Sequence, residues 1–215
     1  MAQLFPRWTN KLPLMLAAAL PLGAAAVIAG VFYWFSPSYT DVGYQPEQPV
    51  PFSHKLHAGE MGMDCRYCHN TVEQAAHAAV PPTSTCMNCH AVVQADAPSL
   101  HPIRESYEEG TAVEWVRVHM LPDYAYFDHS VHVSAGVGCA SCHGRIDQME
   151  VVHQSQPLSM GWCIDCHREP EDNLRPRDEV TNMAWDVTTA DYNPHEDPTR
   201  NRDVNPPLHC GGCHR

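Results

Sequence analysis

The ten cysteines of this 215-residue chain all fall in pairs separated by two residues. A histidine directly follows each pair, so the pattern Cys-x-x-Cys-His occurs five times. The cysteines are Cys65, Cys68, Cys86, Cys89, Cys139, Cys142, Cys163, Cys166, Cys210 and Cys213, and the histidines are His69, His90, His143, His167 and His214. Two thiols at this spacing bond to the two vinyl groups on one porphyrin edge, and the adjacent imidazole is thereby held under the iron. The pattern predicts five covalently bound haem c groups with these histidines as proximal ligands.

Other uses of the Cys-x-x-Cys spacing fit less well. Zinc ribbons and thioredoxin-like redox sites do not require a histidine next to the second cysteine. Since the chain has 15 histidines in 215 residues, chance would place one after all five pairs about twice in a million. The net charge of −12 repels the phosphate backbone, which excludes a nucleic-acid-binding protein.

The segment from Leu12 to Phe35 is apolar and without charge. Its 24 residues would form a helix about 36 Å long, enough for a hydrocarbon core of about 30 Å. Arg7 and Lys11 precede the segment and Asp41 follows it, so the positive-inside rule places residues 1–11 in the cytoplasm. We therefore expect a single-pass anchor in the cell inner membrane. The haem-bearing part would lie on the periplasmic side, where thioether bonds to haem are made.

A cleaved export signal is the alternative to an anchor, because an Ala-rich run after a basic start is typical of such signals. The apolar stretch here is longer than the usual core of about 7–15 residues. It also ends in Tyr33 and Trp34 rather than in a small-x-small cleavage site, and aromatic residues suit a membrane interface. The sequence favours the anchor.

Residues 36–215 have few segments of sustained helical or alternating period and are dense in proline. A conventional apolar core is not available to such a chain, whereas porphyrins can supply the buried apolar area. Proline favours loops and short helices over sheet. The predicted fold is a multihaem cytochrome c, mostly loops and short helices wrapped around five haems, with little or no strand and one N-terminal transmembrane helix. Glu105 to Arg117 are expected to hold a helical turn or two.

An internal duplication organises this part of the chain. The sequence FSHKLH at residues 52–57 is echoed by FDHSVH at residues 127–132, and the following cysteine pairs are offset by similar distances. The repeat predicts two modules that each carry two haems. The predicted divisions are a cytoplasmic N-terminus (1–11), a transmembrane anchor (12–35), a linker (36–49), module one (50–92), a second linker (93–116), module two (117–170) and a C-terminal tail with the fifth haem (171–215).

Ten further histidines compete for the distal positions on five irons. In each repeated segment two histidines are three residues apart, and on a helix such residues project from one face about 5–6 Å apart. This separation is too small for opposite sides of one iron but suits two neighbouring haems. The distal ligands predicted on this basis are His54, His57, His129 and His132, with His119 as a further ligand and His77 as an alternative.

Methionine is the other usual distal ligand and raises the reduction potential. Met149 and Met160 lie between the third and fourth motifs. Met149 is preferred, because Met160 is only three residues from Cys163. Packing against a porphyrin is the alternative role for each methionine.

Beyond the haem motifs, several segments in order carry a family resemblance. They are PFSHKLHAGEMGMDCRYCH, TCMNCH, WVRVHMLPDYAYFDHSVH, SMGWCIDCHREP and CGGCHR, after the N-terminal apolar segment. Together they resemble the pentahaem cytochrome c subunit of bacterial alternative complex III over essentially the whole chain. The paired histidines also resemble those of small class III cytochromes, in which the first serves the next haem attached and the second serves a different one.

The resemblance implies an electron-transfer subunit without a substrate site of its own. Such a subunit passes electrons derived from quinol oxidation through its haems toward a periplasmic cytochrome or a terminal oxidase. Its implied partners are an iron–sulfur subunit related to molybdopterin oxidoreductases, a monohaem cytochrome c subunit and membrane subunits that hold the quinol site.

Two other functions are compatible with the haem motifs. A multihaem reductase needs an iron with an open sixth position and often replaces the attachment histidine by lysine, whereas all five motifs here keep histidine. A stand-alone membrane-anchored multihaem quinol dehydrogenase would take electrons directly from quinol. The single anchor permits that function, but the number of haems and the linking segments favour a subunit of a complex.

Overall fold

The computed structural model of the chain describes residues 4–198 and 204–215. Residues 1–3 of the predicted cytoplasmic N-terminus and residues 199–203 of the predicted tail lie outside the described residues. The chain divides into two compact units, Met1–Asp41 and Val42–Arg215. The first unit is dominated by one long helix, and the second contains all five haem motifs.

The long helix of the first unit, α1, spans Leu12–Trp34. A 3-10 turn at Arg7–Lys11 precedes it, and the short helix α2 follows at Pro37–Thr40. The apolar side chains of α1 are largely exposed, as at Phe32 with 77% of its surface accessible. By length and composition α1 can cross a membrane, which suits either an anchor or an export signal.

Short helices joined by loops make up the second unit. The α-helices are α3 (Cys65–Cys68), α4 (Thr83–His90), α5 (His101–Glu109), α6 (His129–Ser134), α7 (Cys139–His143) and α8 (Met160–Arg168). A π-helical turn covers Lys55–Glu60, and 3-10 turns cover Pro98–Leu100, Ile146–Gln148, Glu171–Asn173, Arg177–Glu179 and Cys210–Gly212. The described residues contain no β-strand, only an isolated bridge between Val137 and Leu174. The expected architecture of loops and short helices is confirmed.

Helix α5 lies in the predicted linker between the modules. It begins earlier than the expected helical turns, with Pro102 in its first turn, where a missing N–H costs nothing. It ends at Gly110, whose φ of 66° is left-handed and stops the helix. Residues 111–117 are therefore not helical.

The apolar core of the second unit is small. Its buried apolar side chains, among the residues described, are Val50, Ile103, Met149, Leu174, Val180 and Met183. Burial on this scale does not offset the conformational entropy of ordering the whole unit. The second unit therefore needs a large apolar partner within its fold.

The two repeated segments contact each other in a reciprocal way. The Lys55 N–H donates to the Met149 carbonyl at 3.0 Å, and the Ser130 N–H donates to the Ala75 carbonyl at 3.3 Å. Lys55 and Ser130 occupy equivalent positions in the repeat, and Ala75 and Met149 each follow the attachment histidine by six residues. Each repeat therefore presents the same face to the other, as the subunits of a symmetric dimer do.

Candidate haem-binding sites

Four of the Cys-x-x-Cys-His motifs lie in the short helices α3, α4, α7 and α8, and the fifth forms a 3-10 turn. A helical turn brings residues three and four apart to one face, so both thiols and the histidine point the same way. Side chains cap two of these helices. The Asp64 carboxylate accepts the Arg66 N–H at 2.8 Å before α3, and the Ser159 hydroxyl accepts the Trp162 N–H at 3.3 Å before α8.

Each paired histidine faces a different attachment histidine. The ring pairs are His54 with His69, His57 with His90, His129 with His143 and His132 with His167, and their centroids are 6.5, 6.2, 6.4 and 6.1 Å apart. A ring nitrogen about 2 Å from a metal and about 1.1 Å from its own ring centre places two trans imidazole centroids about 6.2 Å apart. All four spacings therefore fit two imidazoles that hold one haem iron between them.

The pairing crosses between neighbouring motifs. His54 faces the first motif, whereas His57, three residues later, faces the second. His129 and His132 repeat this arrangement with the third and fourth motifs. One short helical segment thus presents its two imidazoles to two different attachment sites.

In each repeated segment a phenylalanine contacts both of the histidines that are three residues apart. The Phe52 ring stacks on His57 at 4.4 Å between centroids and meets His54 edge-on at 4.8 Å. Phe127 makes the same two contacts with its own pair of histidines, at 4.5 and 4.7 Å. The sequence shows this residue only as part of a repeated pattern, whereas the structure shows that it positions both rings.

Backbone carbonyls orient most of these imidazoles. The attachment histidines His69, His90, His167 and His214 donate from Nδ1 to the carbonyls of Ala79, Val93, Pro207 and Tyr124, over 2.6, 2.9, 2.9 and 2.9 Å. His57, His129 and His132 donate from Nδ1 to the backbone carbonyls of Ser53, Ala76 and Asp128, over 2.8, 2.7 and 2.7 Å. Because a carbonyl only accepts, Nδ1 carries the proton in each ring and Nε2 keeps the lone pair that binds a metal.

The buried imidazoles are held in their neutral form. Burial, with a smaller effect of the His69 ring, lowers the pKa of His54 to about 4. Burial likewise lowers the pKa of His143 to about 3. His54 Nδ1 is also buried without a hydrogen-bond partner among the described groups. Neutral imidazole is the form that ligates iron, so these side chains suit the predicted group.

The attachment motifs do not follow one another in space as they do along the chain. The first and second motifs touch where Asn88 donates to the Tyr67 hydroxyl at 3.2 Å. Cys65 and Cys139 lie close to each other, because their interaction lowers the pKa of Cys65 and raises that of Cys139, so the first and third motifs are neighbours.

The remaining contacts extend this series. Burial, together with the nearby Cys166 and Cys163 thiols, raises the pKa of Cys142 to about 12, so the third and fourth motifs are neighbours. His167 of the fourth motif donates to Pro207, just before the fifth. The contacts thus connect the motifs in the order second, first, third, fourth, fifth.

The fifth motif packs on the segment that precedes α6. His214 donates to the Tyr124 carbonyl at 2.9 Å, and the Tyr126 N–H donates to the Cys213 carbonyl at 2.8 Å. Within residues 4–198 and 204–215, no second imidazole faces His214 at the spacing of the other four pairs. The Tyr124 ring instead lies beside His214, with the two ring centroids 5.8 Å apart.

His119, expected from the sequence as a distal ligand, lies at the third motif instead. Its Nε2 is 3.3 Å from Nδ1 of His143, and the two ring centroids are only 4.4 Å apart. This distance leaves no room for a metal between the rings. In the structure, the nitrogen of His119 that would bind iron contacts an attachment histidine.

Met149, the preferred methionine ligand, is buried near the third motif. Its side chain is buried, and its methyl group would lie 3.7 Å from a Cβ added to Gly144, next to the third motif. The attachment histidine of that motif already faces His129. This position agrees with the alternative role of Met149, packing against its neighbours. Met160 is 71% exposed at the start of α8.

Comparisons with known proteins show the family to which the chain belongs. The chain is similar to the multiheme cytochrome c subunit of menaquinone reductase from Nitratidesulfovibrio vulgaris, with 35% identity over 127 residues. The aligned part is 58% of this chain and 59% of that relative, so the chain spans less than two thirds of the relative's length. The model of the family described as cytochrome c7 and related cytochrome c matches residues 50–109 and 125–215. The chain, a multihaem cytochrome c, belongs to this family.

Proposed function

We propose that the chain is an electron-transfer subunit with five covalent haems c, held by the ten cysteines and five attachment histidines. The observation that carries the proposal is the set of four imidazole pairs at metal-bridging spacing. Haem held between these imidazoles would supply one-electron redox chemistry, and the two nitrogens would leave no free position on the iron for a substrate. The chain itself orients most of these imidazoles by hydrogen bonds and brings the attachment motifs into contact.

The proposed axial ligands are assigned from the ring pairs. His54, His57, His129 and His132 serve as distal ligands of the first, second, third and fourth haems, opposite His69, His90, His143 and His167. His214 is the proximal ligand of the fifth haem. Saturated coordination at four irons argues against a reductase that binds its substrate at those irons.

We further propose that the subunit works in a membrane complex that oxidises quinol. Helix α1 would anchor it in the inner membrane with the haem unit on the periplasmic side. At the end of α1 the Tyr33 ring lies 5.3 Å from Trp34 and 5.9 Å from Tyr39, an aromatic cluster that suits the membrane interface. The proposed partners are the iron–sulfur, monohaem cytochrome and quinol-site subunits implied by the family resemblance.

The relative supports a second candidate, in which electrons run the opposite way. Its name, menaquinone reductase, describes transfer of electrons to a quinone. The same imidazole pairs would serve that direction equally well, because a haem accepts and donates one electron reversibly. Only the partners at the two ends of the motif series differ between the candidates.

The direction is tested on membranes that contain the complete complex. We expect a menaquinol analogue, added without oxygen, to reduce the haems, and oxidised soluble cytochrome c to reoxidise them. Haems that are reduced by ferrocytochrome c and reoxidised by a menaquinone analogue would support the second candidate in place of the first. Absence of any redox exchange with quinol or quinone in intact membranes would refute the quinone-linked function.

The number of haems is open to direct measurement. We expect the mature protein to contain five haems per chain, because all five motifs keep both cysteines and the histidine. Pyridine haemochrome absorbance, quantified against protein by amino-acid analysis, gives this ratio. Replacing Cys210 and Cys213 together by serine should lower the ratio by one, and a ratio of four or less in the fully matured wild type would contradict the proposal.

A further inference from the structure

The third attachment motif differs from the other four in the partner of its histidine. The attachment histidines of the other motifs all donate from Nδ1 to a backbone carbonyl. His143 Nδ1 instead faces the Nε2 atom of His119 at 3.3 Å, with the two rings at 78° to each other. At that distance the N–H of one ring can donate to the nitrogen of the other.

We propose that His119 is a positioning residue that sets the orientation and basicity of His143, and through it the reduction potential of the third haem. The inference rests on the proposed role of His143 as a proximal ligand. When His143 Nε2 binds iron, its Nδ1 must carry the proton and must donate it. His119 is then the acceptor through Nε2, which fixes its own proton on Nδ1.

The neighbouring backbone holds His119 in place for this contact. Gln154, which is 1% exposed, accepts the Met120 N–H on its side-chain oxygen at 3.4 Å and donates from its amide nitrogen to the Gln156 carbonyl at 3.0 Å. The adjacent Ser155 hydroxyl donates to the His143 carbonyl at 3.2 Å. One segment thus fixes the residue after His119 and the backbone of His143 together.

The choice of acceptor has an electronic consequence. A hydrogen bond that draws on the Nδ1 proton makes the imidazole a stronger electron donor, which favours the oxidised iron. At the third haem this acceptor is an imidazole nitrogen, whereas at the other four attachment histidines it is a peptide carbonyl. His119 therefore lowers the potential of the haem at the junction between the two repeats.

The test is a spectroelectrochemical titration of the holoprotein with two substitutions at this position. His119→Leu removes the acceptor. We therefore expect the reduction equilibrium constant of one haem to increase about tenfold, which raises its potential by about 59 mV for one electron. His119→Gln retains an acceptor oxygen and should lie between Leu and wild type. His101→Gln, on a side chain that is 67% exposed, is the control and should leave all potentials unchanged.

Low-temperature EPR on the same samples separates positioning from ligation. If His119 is a positioning residue, every iron in both variants keeps the spin state that it has in the wild type, because His143 and His129 stay bound. Loss of a low-spin signal together with a new high-spin signal in both variants would show that His119 is itself a ligand. Unchanged potentials in His119→Leu would also overturn the inference, while a wild type with fewer haems or with unpaired histidines would instead overturn the proposed function.

Discussion

His57→Ala is expected to convert the second haem, and not the first, from low spin to high spin. The reason is the crossed pairing, in which the His57 ring lies 6.2 Å from His90 and the neighbouring His54 lies 6.5 Å from His69. Alanine removes the distal nitrogen and leaves the attachment cysteines and the proximal histidine in place. The expected result is full loss of one low-spin EPR signal and the appearance of one high-spin signal, with five haems still attached.

The two irons can be told apart by the angles between their ligand rings. The planes of His54 and His69 are 3° apart, whereas those of His57 and His90 are 58° apart. The g values of a low-spin iron depend on this angle, so the two sites give different signals. His54→Ala is the matched control and should reduce the signal of the nearly parallel pairs, to which the His129–His143 pair at 11° also contributes. If His57→Ala reduced the signal of the nearly parallel pairs, the crossed assignment would be refuted.

The features that the sequence could predict are those fixed by short spacings. Two thiols three residues apart and a histidine next to them are a local constraint, and so are His129 and His132 on one turn of α6. Proline density and the small number of periodic segments likewise predicted short helices and no sheet. Each of these inferences needs only the geometry of a few neighbouring residues.

The features that the sequence could not predict depend on contacts between distant segments. His119 has the same chemistry as a ligand, and only the approach of His143 from 24 residues away shows that its Nε2 has another partner. Met149 is a similar case, because it is buried and its carbonyl accepts the Lys55 N–H of the other repeat. The internal duplication in the sequence indicates this contact between the repeats. Two copies of one module can dock reciprocally, and an apolar residue at the shared face is then an interface residue.

That docking also explains the spatial order of the motifs. The repeats meet near the first motif of each, where Cys65 and Cys139 lie close enough to shift each other's pKa. The second motif therefore lies at one end of the series, and the fourth and fifth motifs extend it at the other. The two ends of the series are the second and the fifth motifs, which are distant from each other in sequence. We therefore expect electrons to be exchanged with partners at these two motifs.

Gly59→Ala is expected to destabilise the contact between the two repeats. Gly59 lies in the π-helical turn Lys55–Glu60, and a Cβ there would collide with the carbonyl of Asp147 in the other repeat. A backbone atom cannot rotate away as a side chain can, so one repeat must shift, and the Lys55 to Met149 hydrogen bond of 3.0 Å is lost with it. Overpacking of this kind costs about 1–3 kcal/mol. In a domain of this size, each kcal/mol lowers Tm by about 2–4 °C.

Gly161→Ala provides the matched control, because the same methyl group meets nothing within 4 Å in α8. There alanine should stabilise the helix by about 0.5–1 kcal/mol, since it restricts the unfolded chain more than glycine does. Thermal unfolding followed by circular dichroism in the Soret region reports on the haem environments of both variants. A lower Tm for Gly59→Ala and an unchanged or higher Tm for Gly161→Ala are the expected results. Equal Tm values for the two variants would show that the repeats do not depend on this contact, because the collision at Asp147 is the difference between them.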